Sequence, residues 1–132
     1  MAQITKFDDV IDLRDVMARV EELEGERDAC DAEAFEEWQN SEDAEELATL
    51  CNFLQECKGN GGDEQWRGDW YPVTAVRDSH FERYAEELAN DIGAIPDGAQ
   101  WPITCIDWTQ AARELQYDYT GVEFDGVTYY VR

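Results

Sequence analysis

Few residues of this chain are equipped for reaction chemistry, and their spacing selects none of them. His80 is the only histidine, so no group of imidazoles can hold a metal. The cysteines are Cys30, Cys51, Cys57 and Cys105. No two of them form a C-x-x-C pair, and the step from Cys51 to Cys57 is too wide for a zinc knuckle. They read as reduced, mostly buried thiols. A thiol and imidazole could act as nucleophile and base, but nothing singles out one cysteine as the partner of His80. The histidine itself lies inside Ser79-His80-Phe81-Glu82, a helix-cap signature, and reads as structural. Gly59, Gly61 and Gly62 are followed by no Gly-Lys-Ser/Thr, and the adjacent Asp63 and Glu64 would repel phosphate. They read as a flexible link. The Asp-x-Asp-x-Asp-Gly spacing of a calcium loop is absent. The expectation is a protein that is not an enzyme and needs no metal or cofactor.

What remains is charge. The 132 residues hold 32 Asp and Glu against 10 Lys and Arg, a formal net charge of −22. Solubility alone asks for a magnitude of about 2–8. Acids recur one helical turn apart at Asp8 and Asp12, Glu22 and Glu26, Glu33 and Glu37, and Glu42 and Glu46. Each such pair costs roughly 0.2–0.5 kcal/mol in a helix. A chain of this charge is repelled by nucleic acid and by anionic membranes, so direct binding to either is not expected. A cationic partner gives the surplus a purpose. Duplex DNA carries one charge per ~1.7 Å, so 22 charges match about 37 Å, or about 11 base pairs. An acidic helical surface can then occupy the basic groove of a nucleic-acid-binding protein and block it. The first-half acids nominated for that surface are Asp12, Asp15, Glu22, Glu26, Glu33, Glu37, Glu42 and Glu46, with Trp38 as an exposed apolar anchor that a target or a second copy of the chain could cover. The alternative is an acidic accessory or scaffold protein of halophilic type with no mimicry, because the chain has two lysines against eight arginines.

These groups need a scaffold. Hydrophobic residues make up 43%, including 5 Trp, 6 Tyr and 5 Phe, so the chain folds rather than forming a disordered acidic tail. No apolar stretch approaches the ~18 residues of a membrane span. Met1 to Asp9 lacks the pattern of a signal peptide. A cytoplasmic protein is expected. Asp8 or Asp9 opens a first helix whose stripe is Val10, Leu13, Met17, Val20 and Leu23, resuming at Cys30, Ala34 and Trp38. Ser41 caps a second, striped by Leu47, Leu50, Leu54 and Cys57. The fold class expected is α+β and mostly helical: an N-terminal acidic antiparallel helical hairpin at 1–57, a Gly-rich link at 58–65, and a small α+β lobe at 66–132 ending in a β-hairpin. In that lobe a short strand falls within Trp66 to Val76, and Ser79 caps a helix that Gly93 ends. Asp107 opens a short helix to about Gln116. Asp125-Gly126 turns a hairpin that puts Val122, Phe124, Val127, Tyr129 and Val131 on one face. Trp66, Trp70, Trp101 and Trp108 are expected to build the second core.

Three runs in the second half also carry a family resemblance. They are Phe81-Glu82-Arg83-Tyr84-Ala85-Glu86-Glu87-Leu88-Ala89, Ile106-Asp107-Trp108-Thr109-Gln110-Ala111-Ala112-Arg113-Glu114-Leu115, and Asp118-Tyr119-Thr120. Together they resemble the C-terminal part of ArdA-type antirestriction proteins over about 50 residues. The most specific element is the Ile-Asp-aromatic-x-x-x-Ala-Arg-x-Leu pattern at 106–115. The family's N-terminal mixed domain has no counterpart in residues 1–57. The resemblance implies an elongated, dimeric DNA mimic from a phage or mobile element that blocks restriction-modification enzymes; a CRISPR effector, which also holds nucleic acid in a basic channel, is an equal target. It nominates Glu82, Glu86, Glu87, Asp91, Asp107, Glu114 and Asp118 as further stand-ins for phosphates.

Overall fold

The computed structural model describes residues 4–132; the opening residues of the Met1 to Asp9 segment lie outside the described residues. The chain is α+β; the described residues form five α-helices and six strands. The first element is a strand, β1 (Val10–Asp12), which leads directly into α1 (Leu13–Asp28). Asp12 is the N-cap of α1, its carboxylate accepting the Arg14 N–H. The expected start at Asp8 or Asp9 is therefore corrected. Val10 to Asp12 are drawn into pairing with a later strand, and Val10 stays 46% exposed instead of joining the stripe. Leu13, Met17, Val20 and Leu23 are buried as expected, joined by Val16.

The first helix also ends sooner than its stripe suggests. Asp31 turns its carboxylate to the Ala34 N–H and starts a separate helix, α2 (Ala32–Gln39). Local side-chain bonding of this kind competes with helix continuation. Ser41 then caps α3 (Glu42–Cys57) through the Ala44 N–H, as expected. The N-terminal region is thus a strand and three helices, with α1 packed on α3, in place of a two-helix hairpin.

A small hairpin follows, β2 (Asp63–Trp66) and β3 (Asp69–Tyr71). It takes up the end of the expected link. Gly62, with φ +69°, lies so close to the Tyr71 carbonyl that a Cβ would overlap it at 1.9 Å. Then come β4 (Thr74–Arg77), α4 (Phe81–Asp91), α5 (Trp108–Leu115), β5 (Thr120–Phe124) and β6 (Val127–Val131). Gly93 at φ +77° follows the end of α4, Asp107 caps α5 through the Gln110 N–H, and Asp125 and Gly126 turn the last hairpin at φ 51° and 82°. These match the expectations. The capping box at Ser79 does not form. Asp78 to His80 make a 3-10 turn, and His80 precedes α4 without a side-chain bond to it.

One antiparallel sheet joins the two ends of the chain, in the order β1-β4-β6-β5. Its two faces serve two cores. On one face Ile11, Ala75, Val122, Phe124, Tyr129 and Val131 pack with α1 and α3. On the other, Val76 and Tyr130 pack with Phe81 and Ala85 of α4 and Ala112 of α5. Adjacent residues 75 and 76, and 129 and 130, go to opposite faces, which is the alternation a strand imposes. The expected division at 58–65 does not separate two cores, because the larger one draws on residues from both sides of it.

The tryptophans and thiols also differ from expectation. Trp66 packs on the larger core, Trp70 and Trp101 are exposed, and the second core is built from Phe81, Tyr84, Tyr119 and Tyr130. Phe81 has the rings of Tyr84, Tyr119 and Tyr130 around it at 5.2–5.6 Å. All four cysteines are free, yet only Cys57 is buried; Cys51 and Cys105 are exposed.

Burial pushes the Cys57 thiol up to about 12, and the phenols of Tyr129 and Tyr119 also to about 12, the latter helped by its bond to Tyr84. The ordinary values are 9.0 and 10.0. The folded chain therefore holds protons that the unfolded chain releases. Stability is complete below pH ~9 and falls as pH rises towards ~12. The urea midpoint is expected to drop steadily across that window, and a midpoint that stays level would contradict the placement of these groups.

Candidate protein-interaction surface

Among the described residues no charged side chain is buried. Burying an ionised carboxylate without a partner is prohibitive, so the acids line the outside, and the question is which of them already have cations. Arg19 on α1 is the main internal tie. Its guanidinium bonds Glu46 of α3 at 2.7 Å and Glu22 at 2.9 Å, and reaches Asp43 at 4.0 Å. The bond to Glu46 raises the pKa of Arg19, so it stays charged. Arg14 holds Asp12 at 2.7 Å and keeps that carboxyl below its ordinary range. Arg27 pairs with Asp28 and Glu24, Arg67 also with Glu24, and Lys58 with Asp69. The Trp66 indole N–H donates to Glu21.

The nominated acids consequently divide. Asp12, Glu22 and Glu46 are held by arginines, and Glu87 by Arg83 at 3.4 Å. Asp107 caps α5, and Glu82 accepts the Thr109 hydroxyl at 3.1 Å, tying α4 to α5. Asp15, Glu26, Glu33, Glu37, Glu42, Glu86, Asp91, Glu114 and Asp118 are exposed and, among the described residues, form no ion pair. The structure places these on several helices rather than on one rod.

Two stretches concentrate them. From Asp28 to Cys57 there are ten acids and no base. Within it α2 buries no residue and presents Glu33, Glu36 and Glu37 around Asn40. Glu36 and Glu45 belong to this surface and were not nominated from the sequence; the gap between Arg27 and Lys58 is the signal that would have found them. The second stretch is the outer side of α4, where Ser79, Glu82, Glu86, Glu87 and Asn90 line a shallow depression with Arg83. Carboxylates one turn apart are spaced by about 6 Å along a helix, against ~1.7 Å per charge along duplex DNA. One row is too sparse, so matching a duplex requires several helical rows together.

Between the described start of the chain and α3 lies a groove of about 450 Å³, with Phe7, Leu50 and Phe124 as apolar lining and Glu42, Glu45 and Asp125 as acids. Trp38 is not the exposed anchor expected. Its ring is partly buried against the larger core and stacks on Phe35 at 6.4 Å, and its indole N–H is buried without a hydrogen-bond partner. His80 is 18% exposed with Asp9 at 3.8 Å. Among the described residues no group of His, Cys, Asp and Glu converges in the manner of a metal site, and no helix is long and apolar enough to cross a membrane.

Replacing Arg19 by Gln leaves Glu22, Asp43 and Glu46 facing one another. The expected loss is about 1–2 kcal/mol of stability. It should shrink in 1 M salt, where repulsion is screened over a few ångströms. Urea unfolding at low and high salt measures both, and an unchanged midpoint would show that Arg19 does not tie α1 to α3.

Comparison with known proteins supplies no relative: no family model matches the chain, and neither a curated protein nor a solved structure matches it.

Proposed function

We propose that this chain is a non-enzymatic, phage-type inhibitor of a host nucleic-acid-targeting defence system, acting in the host cytoplasm. It occupies the basic nucleic-acid-binding site of a restriction-modification enzyme or a CRISPR effector and excludes the real ligand. The observation that carries this reading is the separation of cations from the outer carboxylates. The arginines of the α1 region are each paired with carboxylates of the fold, and α2 offers acids alone. Such a surface repels nucleic acid and attracts the proteins that bind it. The resemblance of the second half to ArdA-type proteins supports the same reading, with the acids of α4 and α5 adding to the surface.

The charge is distributed, so single changes should matter little while grouped reversals should matter greatly. A type I restriction enzyme and a CRISPR effector, each free of nucleic acid, serve as targets. At least one is expected to bind the chain and to release it when duplex DNA is added. The combined Glu33→Lys, Glu37→Lys and Glu42→Lys variant is expected to lose that binding by at least a hundredfold while each single variant loses only a few-fold. Binding that duplex DNA does not displace would overturn the mimicry.

A further inference from the structure

Between α4 and α5 several large apolar side chains stand in solvent. Ile92 is 71% exposed and Trp101 79%, with Ile103 and Ile106 at 40% and 36%. They lie in the stretch 92–107, whose only regular piece is a 3-10 turn at Ile103–Cys105. Neither core uses them. Connections of this length without secondary structure are uncommon in a compact domain and often carry function. An indole left in water forgoes the burial that favours large apolar groups inside. A surface whose whole task was to display carboxylates would not need it.

The surrounding charge says what can cover these side chains. From Tyr84 to Ala112 the chain has five acids, Glu86, Glu87, Asp91, Asp97 and Asp107, and no base. A second copy of the chain would bring the same acids against these, and an anionic lipid surface would also be repelled. The complement is an apolar or aromatic pocket edged by lysine and arginine. Sites for unpaired bases have that chemistry: aromatic platforms stack the base while a basic groove follows the backbone, and enzymes that extrude a base receive it in a similar pocket.

We infer that the stretch 92–107 is a second contact with the target, in which Trp101 takes the place of an unpaired or extruded base and Asp97 takes the place of a flanking phosphate. This rests on the function proposed above and sharpens it. The target is one whose site stacks a base as well as holding a duplex.

Trp101→Ala and Trp101→Phe test it, with the triple lysine variant of α2 and α3 as the comparison. The exposure of Trp101 means that both single variants should keep the wild-type circular dichroism and urea midpoint. Against whichever of the two targets binds the wild type, Trp101→Ala is expected to weaken binding about tenfold or more, within the range of a lost stacking contact. Its salt dependence should be unchanged, because no charge is removed. Trp101→Phe should retain most of the affinity. Saturating the target with a short single-stranded oligonucleotide should remove the advantage of the wild type over Trp101→Ala. If Trp101→Ala binds as the wild type does while the triple variant fails to bind, the base-surrogate role is wrong and the mimicry stands. If neither target binds the wild type, both readings fall. If sedimentation velocity shows that Trp101→Ala acts by converting a dimer to a monomer, a second copy covers the stretch and the inference is overturned.

Discussion

Repulsion among carboxylates is the force that every other feature of this fold has to accommodate. A chain with a net charge of −22 gains nothing electrostatically from becoming compact. Folding therefore rests on keeping every charge in water while a limited set of apolar side chains is packed without it. The four-stranded sheet meets that requirement by working on both faces. Tyr129 and Val131 look into the core under α1 and α3, and Tyr130 between them looks into the core under α4 and α5. The rings of Phe53 and Phe124, at 4.9 Å, and Tyr129 close the larger of the two.

The few bases are placed where they relieve the repulsion at joints. Arg19 connects α1 to α3, Arg67 connects the β2–β3 hairpin to Glu24 of α1, and Lys58 at the end of α3 meets Asp69 of β3. Arg67 also lies over the ring of its neighbour Trp66 at 3.8 Å, and the Trp66 indole N–H donates to Glu21, a second tie from the hairpin to α1. Cations used in this way are already paired with carboxylates of the fold, and none of them lies on α2. Stability and the proposed activity thus draw on the same arrangement, because the tie that lets α1 and α3 pack occupies Asp43 and Glu46 and leaves α2 and Glu42 without a cation.

Local signals in the sequence were legible. The buried stripe of α1 from Leu13 onward, the cap at Asp107, the stop at Gly93 and the turn at Asp125-Gly126 each depend on residues within a few positions of one another. What was not legible depends on distant partners. β1 is three residues long and is a strand only because Thr74 to Val76 pair with it. The break between α1 and α2 turns on how Asp31 directs its carboxylate, and neighbouring acids look the same in the sequence. For the surface, the number of acids was plain but their engagement was not. Glu46 is removed from the available set by an arginine 27 positions earlier, and the exposure of Trp101 and the partial burial of Trp38 are properties of the assembled cores.

The most direct test of this account is the dependence of target affinity on salt. If the outer carboxylates replace phosphates in a basic groove, binding releases the counterions held on both surfaces, and the logarithm of the association constant should fall linearly and steeply with the logarithm of salt concentration, as it does for DNA itself. A loss of at least about a hundredfold between 50 and 200 mM salt is the predicted result. An affinity that is level or rises with salt would mean that apolar contacts hold the complex and the carboxylates are merely solvated, and the central claim would be wrong.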